Sequence, residues 1–295
     1  MTNNAVQTRS SMQTINVLDS HLSYTESGEG PPVVFLHGNP ASSHMWRHVL
    51  PAIGSGRLLA PDLIGMGTSG KPDLAYQLAD HAAYLDAWFD ALELDAVTLV
   101  GHDWGGALAF DWASRHPGRV RGIAFFESIV RPLSSADLSP QALERTRTIR
   151  SPEGEALVLE SDFFVRSAYT GGVLAPLSDD ELSAYLAPFP TPESRRPVLA
   201  WARQIPIDGV PAAVTGRIEA YDAWLAASHD VPKLLLTFDG SPTLLIDERG
   251  AQWCRENIAA LETVHVGSAG HHAAEDRPKE IGVAIDDWLA TQGLR

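Results

Sequence analysis

The run Val100-Gly101-His102-Asp103-Trp104-Gly105-Gly106 constrains the fold more than any other stretch of the chain. The apolar segment Ala96–Val100 leads into it, and the nearly all-apolar segment Gly105–Ala113 leads out. Strand, tight Gly-flanked turn and buried helix make the layout of a nucleophile elbow, which lifts the central side chain into the open. That side chain is a carboxylate, Asp103, where the commoner version has a serine. The helix N-terminus behind it favours negative charge. An Asp placed there stays ionised and can attack carbon directly. The plainer alternative is that Asp103 only caps the helix that begins at Trp104.

The rest of the chain supplies the sheet that an elbow needs. Short apolar runs at Pro32–Leu36, Arg57–Ala60, Ile123–Phe126, Lys233–Phe238 and Thr263–Val266 read as strands buried on both faces. Helical patterns lie between them. Leu78, Ala82, Leu85, Phe89 and Leu92 mark one amphipathic face, and Ile281, Ile285 and Trp288-Leu289 a terminal helix. The alternation predicts an α/β protein with a mostly parallel sheet and right-handed crossovers. It is interrupted once. From Arg131 to about Gly216 no strand-like run occurs, and helical patterns appear at Gln141–Thr148, Glu155–Phe164 and Asp179–Leu186. This predicts a core of residues 1–130 and 217–295 and an all-helical cap of residues 131–216, set over the sheet edge where α/β sites lie.

Two further signals flank the elbow. His37-Gly38-Asn39-Pro40 follows the first apolar strand, in the place where a loop supplies one backbone N–H of an oxyanion hole; the residue after the nucleophile supplies the other. Those residues are Asn39 and Trp104, which also carry side-chain N–H donors. Two neutral donors aimed at one point suit a small anion leaving a carbon centre. Gly267-Ser268-Ala269-Gly270-His271-His272 then places a histidine in a loop before the terminal helix, in the chain order nucleophile, acid, His. His271 or His272 is the general base on this reading. For the acid, Glu127 ends an apolar strand and needs a partner if buried, while Asp239 and Asp247 follow a later strand. His102 belongs to the elbow but points away from the attacking side chain.

Composition excludes other classes. The 295 residues carry a formal charge of −15, against a basic face for nucleic acid or anionic lipid. The single cysteine, Cys254, forms no intramolecular disulfide, and no Cys/His cluster has zinc spacing. Met1 to Met12 is polar and reads as no signal peptide, and no apolar run is long enough to span a bilayer. A cytoplasmic protein, without membrane or nucleic-acid partner, is expected.

The motifs together resemble the haloalkane dehalogenases, α/β hydrolases with a helical cap. The resemblance runs from about Leu22 to Trp288. It is strongest at Phe35-Leu36-His37-Gly38-Asn39-Pro40-Ala41-Ser42-Ser43, at Ala60-Pro61-Asp62-Leu63-Ile64-Gly65-Met66-Gly67 and at the elbow. Ala124-Phe125-Phe126-Glu127 with Arg131-Pro132 is similar to the subgroup whose triad acid follows the sixth strand. Glu275-Asp276-Arg277-Pro278 resembles the stretch after the family's catalytic histidine, a register that selects His271.

The resemblance implies an α/β-hydrolase fold with the cap inserted after the sixth strand. It implies Asp103 as nucleophile, His271 as base and Glu127 as its partner, with Asn39 and Trp104 holding the departing halide. It further implies a small apolar haloalkane as substrate, halide as product, no metal or organic cofactor, and a monomer or homodimer. Phe164, Trp201 and Leu245 are the expected pocket residues. Three features depart from the family pattern: Ala202 stands where many relatives have Pro, Tyr169 where an aliphatic residue is usual, and Leu133–Ser139 lacks a Trp-rich segment.

Two other activities share the triad. Epoxide hydrolases usually have an aromatic residue where Asn39 stands, and use two cap tyrosines as acids; Tyr169, Tyr185 and Tyr221 are available here. A luciferase-like oxygenase keeps a very similar triad. Fluoroacetate dehalogenases usually have Arg where Trp104 stands.

Overall fold

The structure, a computed structural model, describes residues 11–295; the leader reading made on Met1–Met12 falls mostly outside them. All six predicted strands are present, as β3 (Pro32–Leu36), β4 (Arg57–Pro61), β5 (Val97–His102), β6 (Val120–Phe126), β7 (Lys233–Asp239) and β8 (Leu261–Ser268). Two more precede them, β1 (Ser11–Val17) and β2 (Ser20–Ser27). These have the polar sequences SMQTINV and SHLSYTES and lack the apolar run that marks an inner strand. β1 and β2 pair antiparallel, and β2 pairs antiparallel with β4 through Tyr24 to Ser27. They close the edge of a sheet ordered β1-β2-β4-β3-β5-β6-β7-β8, parallel from β4 to β8.

That order sets the site. From β3 the chain steps outward to β4, then returns to place β5 on the other side of β3. Loops leaving the C-terminal ends of β3 and β5 therefore part in opposite directions and open a crevice between them. The elbow and the His37–Asn39 loop border it. Val33, Val34, Leu99 and Val100 have no exposed surface, because α1 (Leu78–Ala91) and α2 (Trp104–Arg115) help to cover the sheet.

Between β6 and β7 lie α3 (Pro140–Arg150), α4 (Pro152–Leu159), α5 (Phe163–Gly171), α6 (Asp179–Leu186), α7 (Arg196–Arg203) and α8 (Ala212–Ala227). The helix expected over Glu155–Phe164 is in fact two. It breaks at Glu160–Asp162, where the Arg195 guanidinium takes the Leu159 carbonyl at 2.6 Å and the Ser161 hydroxyl accepts the Phe163 N–H. The anticipated seam at 216/217 falls within α8. That helix is tied to α2 by Arg217, which donates to Asp111 at 2.9 and 2.6 Å. After β7 come α9 (Glu248–Asn257), α10 (Ala273–Asp276) and α11 (Pro278–Thr291). No helix among the described residues is long and apolar enough to cross a membrane.

Candidate active site

Asp103 sits at the apex of the turn between β5 and α2 with φ of 53°, a conformation that costs a non-glycine residue of order 1–3 kcal/mol. The neighbouring glycines serve close approach. A Cβ on Gly105 would stand 2.0 Å from the Leu36 carbonyl oxygen, and one on Gly38 would stand 2.3 Å from the Asp103 carboxylate. Asp103 precedes α2 but makes no side-chain cap bond. Its Oδ2 instead accepts the Asn39 backbone N–H at 2.8 Å, and the Trp104 backbone N–H also favours its ionised form. Burial still pushes the carboxyl above its ordinary value, opposed by His271 and these two N–H groups.

His271 turns its ring between two carboxylates. Nδ1 lies 3.0 Å from Glu127 Oε2, and Nε2 lies 3.9 Å from Asp103 Oδ1. The first is a hydrogen bond, which places the proton on Nδ1; the second is too long to be one. The Nε2 lone pair is thus left for another proton. Burial alone would lower this imidazole, but the Glu127 bond and the nearby Asp103 charge outweigh it and raise it above the ordinary histidine value. His272, the other candidate, is turned away. Its ring stacks on Tyr169 at 4.4 Å, its N–H meets the Gly172 carbonyl, and burial drives its pKa well down.

Glu127 follows β6 with φ of 49° and is 1% exposed. Its carboxylate accepts the Leu245 N–H at 2.6 Å and the Ile246 N–H at 3.1 Å, besides His271. A buried carboxylate needs such partners. The two other acids stand elsewhere. Asp247 caps α9 through the Gly250 N–H, and exposed Asp239 accepts the Ser268 hydroxyl.

Of the expected pocket residues, Trp201 is fully buried and lies against Trp104, ring centroids 4.6 Å apart. Leu245 meets the site through its backbone N–H, with its side chain half-buried. Phe164 is half-buried on α5 and packs against the core. The Asn39 side-chain amide donates to the Val198 carbonyl at 3.2 Å.

Three participants are not evident from sequence spacing: the backbone N–H groups of Leu245 and Ile246, and the His102 ring. His102 is fully buried and donates from Nε2 to the His271 carbonyl at 2.8 Å. Its position beside Asp103 is the one signal that pointed to it. Among the described residues no cluster of metal-ligating side chains is placed to hold an ion.

The arrangement brings together a carboxylate at the tip of the turn, an imidazole whose Nε2 is unbonded, a second carboxylate bonded to its Nδ1, and the backbone N–H groups of Asn39 and Trp104 beside the first carboxylate. The α/β hydrolase fold family matches residues 31–278. A haloalkane dehalogenase of Mesorhizobium japonicum is 48% identical over 93% of this chain and 90% of its own length. One from Agrobacterium fabrum is 46% identical over 90% of this chain and 86% of its own length. Among solved structures, the haloalkane dehalogenase DatA from Agrobacterium tumefaciens superposes with a TM-score of 0.90 at 42% identity, covering 96% of this chain and 97% of that one. DbeA from Bradyrhizobium elkani superposes with a TM-score of 0.91 at 43% identity, covering 96% and 98%.

Proposed function

The chain belongs to the haloalkane dehalogenases, hydrolases of the α/β fold acting on carbon–halogen bonds, and from that premise we propose how its own residues divide the work. Asp103 Oδ2 is committed to the Asn39 N–H, so Oδ1 attacks the halogen-bearing carbon of a small haloalkane. The carbon–halogen bond breaks with its electron pair on the halide. The leaving anion takes hydrogen bonds from the Asn39 amide and the Trp104 indole, and an alkyl ester of Asp103 remains. His271 Nε2 then removes a proton from water, which attacks the ester's carboxyl carbon. The backbone N–H groups of Asn39 and Trp104 hold the oxyanion. Collapse of the tetrahedral intermediate breaks the ester C–O bond; the leaving alkoxide takes the proton from His271 Nε2 and departs as the alcohol, and the remaining water-derived proton is lost from the Asp103 carboxyl to solvent, which restores the carboxylate. Glu127 keeps the proton on Nδ1 and stabilises the imidazolium that forms.

The observation that carries this division is the placement of His271 between two carboxylates, bonded to one and facing the other at 3.9 Å unbonded. It suits a base that acts on water after the nucleophile has been esterified. Epoxide opening is less well served. Two of the three tyrosine hydroxyls that could protonate an alkoxide are already committed, Tyr185 to Glu275 and Tyr221 to the Ile129 carbonyl. We place the protein in the cytoplasm, acting as a monomer or homodimer.

Halide release from a panel of short and medium bromoalkanes, wild type against Asp103→Ala, tests the reading. Release that disappears in the variant supports it. Equal release by both removes Asp103 from the chemistry.

A further inference from the structure

The two side-chain donors assigned to the leaving group both meet one cap helix. Val198 and Trp201 are three residues apart on α7 and both are fully buried. The Val198 carbonyl accepts the Asn39 side-chain N–H at 3.2 Å. The Trp201 ring lies over Trp104, with centroids 4.6 Å apart and planes 31° apart.

Each contact fixes an orientation that the leaving group needs. An asparagine amide presents N–H donors at one end and an acceptor at the other. Reversed, the Asn39 amide would set its own oxygen against the Val198 carbonyl. The carbonyl therefore fixes which end of the amide carries the N–H groups, and the NH₂ keeps a second hydrogen for an anion. Trp201 similarly limits rotation of the Trp104 indole, whose N–H is useful only while it points at the departing atom.

The helix is itself held firmly against the core. Trp201 stacks on His81 of α1 at 4.1 Å and 25°. That imidazole is buried without a hydrogen-bond partner among the described residues, and burial lowers its pKa to about 3, so it stays a neutral stacking surface. Gln204, just past α7, accepts the Leu78 N–H at the start of α1 and donates to the Tyr76 carbonyl. A Cβ on Gly65 would stand 2.9 Å from Pro197, so a core turn also abuts α7.

We propose that α7 sets leaving-group selectivity, through the Val198 carbonyl on Asn39 and the Trp201 ring on Trp104, with Trp201 as a positioning residue for the halide donors. This rests on the reading of Asn39 and Trp104 given above. Chloride carries its charge on the smallest and hardest atom of the series and gains most from aligned donors; iodide gains least. Loosening the donors therefore penalises chloroalkanes more than iodoalkanes of the same chain.

The test compares chlorobutane, bromobutane and iodobutane with wild type, Trp201→Phe and Trp201→Leu, together with inhibition of turnover by chloride. Trp201→Leu is expected to lower kcat/KM for the chloride roughly tenfold more than for the iodide, and to weaken chloride inhibition by a similar factor. This is less than the roughly 10²–10³-fold that follows loss of an anion-stabilising donor outright. Trp201→Phe, which keeps a ring over Trp104, is expected to restore most of the selectivity. If Trp201→Leu does not fold, His81→Leu, which removes the ring behind Trp201, is expected to move selectivity in the same direction. Equal loss for all three halides with unchanged chloride inhibition would overturn the proposal and leave Trp201 a pocket wall. Absence of halide release by folded wild type would overturn the reading of the site itself, a distinct result.

Discussion

The ring of His102 donates from Nε2 to the main-chain carbonyl of His271 at 2.8 Å, joining the residue before Asp103 to the residue that faces it. The two rings lie 4.9 Å apart. Burial keeps His102 neutral, with the proximity of His271 acting in the same direction. His102 is thus a fixed donor that ties the His271 main chain to the elbow.

Replacing that donor gives the first prediction. His102→Leu should slow hydrolysis of the alkyl-enzyme by about 10–100-fold, in the range of misplacing a catalytic group, while the initial burst of halide release persists. His102→Gln carries an N–H donor and should recover much of the loss. Rapid-quench measurement of halide and alcohol separates the two steps. Equal slowing of both steps would place His102 in the general fold of the elbow.

Glu127→Gln should be more severe. The carboxylate accepts three N–H groups, from Leu245, Ile246 and His271. An amide offers one oxygen and turns its own NH₂ toward a donor. The base would lose the partner that fixes its tautomer, and hydrolysis should fall by roughly 10³–10⁴-fold, as on neutralising the acid of other triads. The alkyl-enzyme should accumulate and be visible by intact mass. A variant that turns over within a few-fold of wild type would contradict the assignment.

The pH dependence follows from the charges around His271. In the free enzyme Glu127 and Asp103 raise its pKa above the ordinary value against the effect of burial. A base works only when neutral, so hydrolysis fails as pH falls through its pKa. Esterification removes the Asp103 charge, and with it one cause of the raised value. The acid limb of kcat, where hydrolysis is limiting, should therefore lie below the His271 pKa of the free enzyme measured by NMR. Asp103→Asn should lower that NMR value. An unchanged His271 titration in Asp103→Asn would show that the two groups do not interact.

Asp111 gives a stability prediction apart from the chemistry. It is buried in α2 and accepts from Arg115 at 2.8 Å and from Arg217 of α8 at 2.9 and 2.6 Å. Asp111→Asn should cost about 1–3 kcal/mol by leaving charge-assisted bonds unmade. Urea unfolding should show a lower midpoint with an unchanged slope, and halide release per folded molecule should be unchanged. A midpoint equal to wild type would show that α8 is held by packing alone.

The inner strands were readable in the sequence because strands buried on both faces carry continuous apolar runs, as Val33–Leu36 and Leu234–Leu236 are. The elbow was readable because its glycines are forced by contacts as close as that of Gly105 with Leu36. The outer hairpin of β1 and β2 was not. β1 is mostly exposed, and in β2 the buried Ser23 between Leu22 and Tyr24 interrupts any apolar run. The break between α4 and α5 was hidden because it depends on Arg195, distant in sequence. Contacts made by backbone groups, such as Leu245 to Glu127 and Val198 to Asn39, leave no side-chain signature at all.

In the proposed mechanism the product oxygen comes first from Asp103. The most direct test is one turnover of a bromoalkane in heavy-oxygen water with enzyme in excess, followed by mass analysis of the alcohol and of the peptide carrying Asp103. The account predicts an alcohol with ordinary oxygen and a carboxylate of Asp103 that has gained the heavy isotope. An alcohol labelled in that first turnover, with Asp103 unlabelled, would show that water attacks the substrate directly and would contradict it.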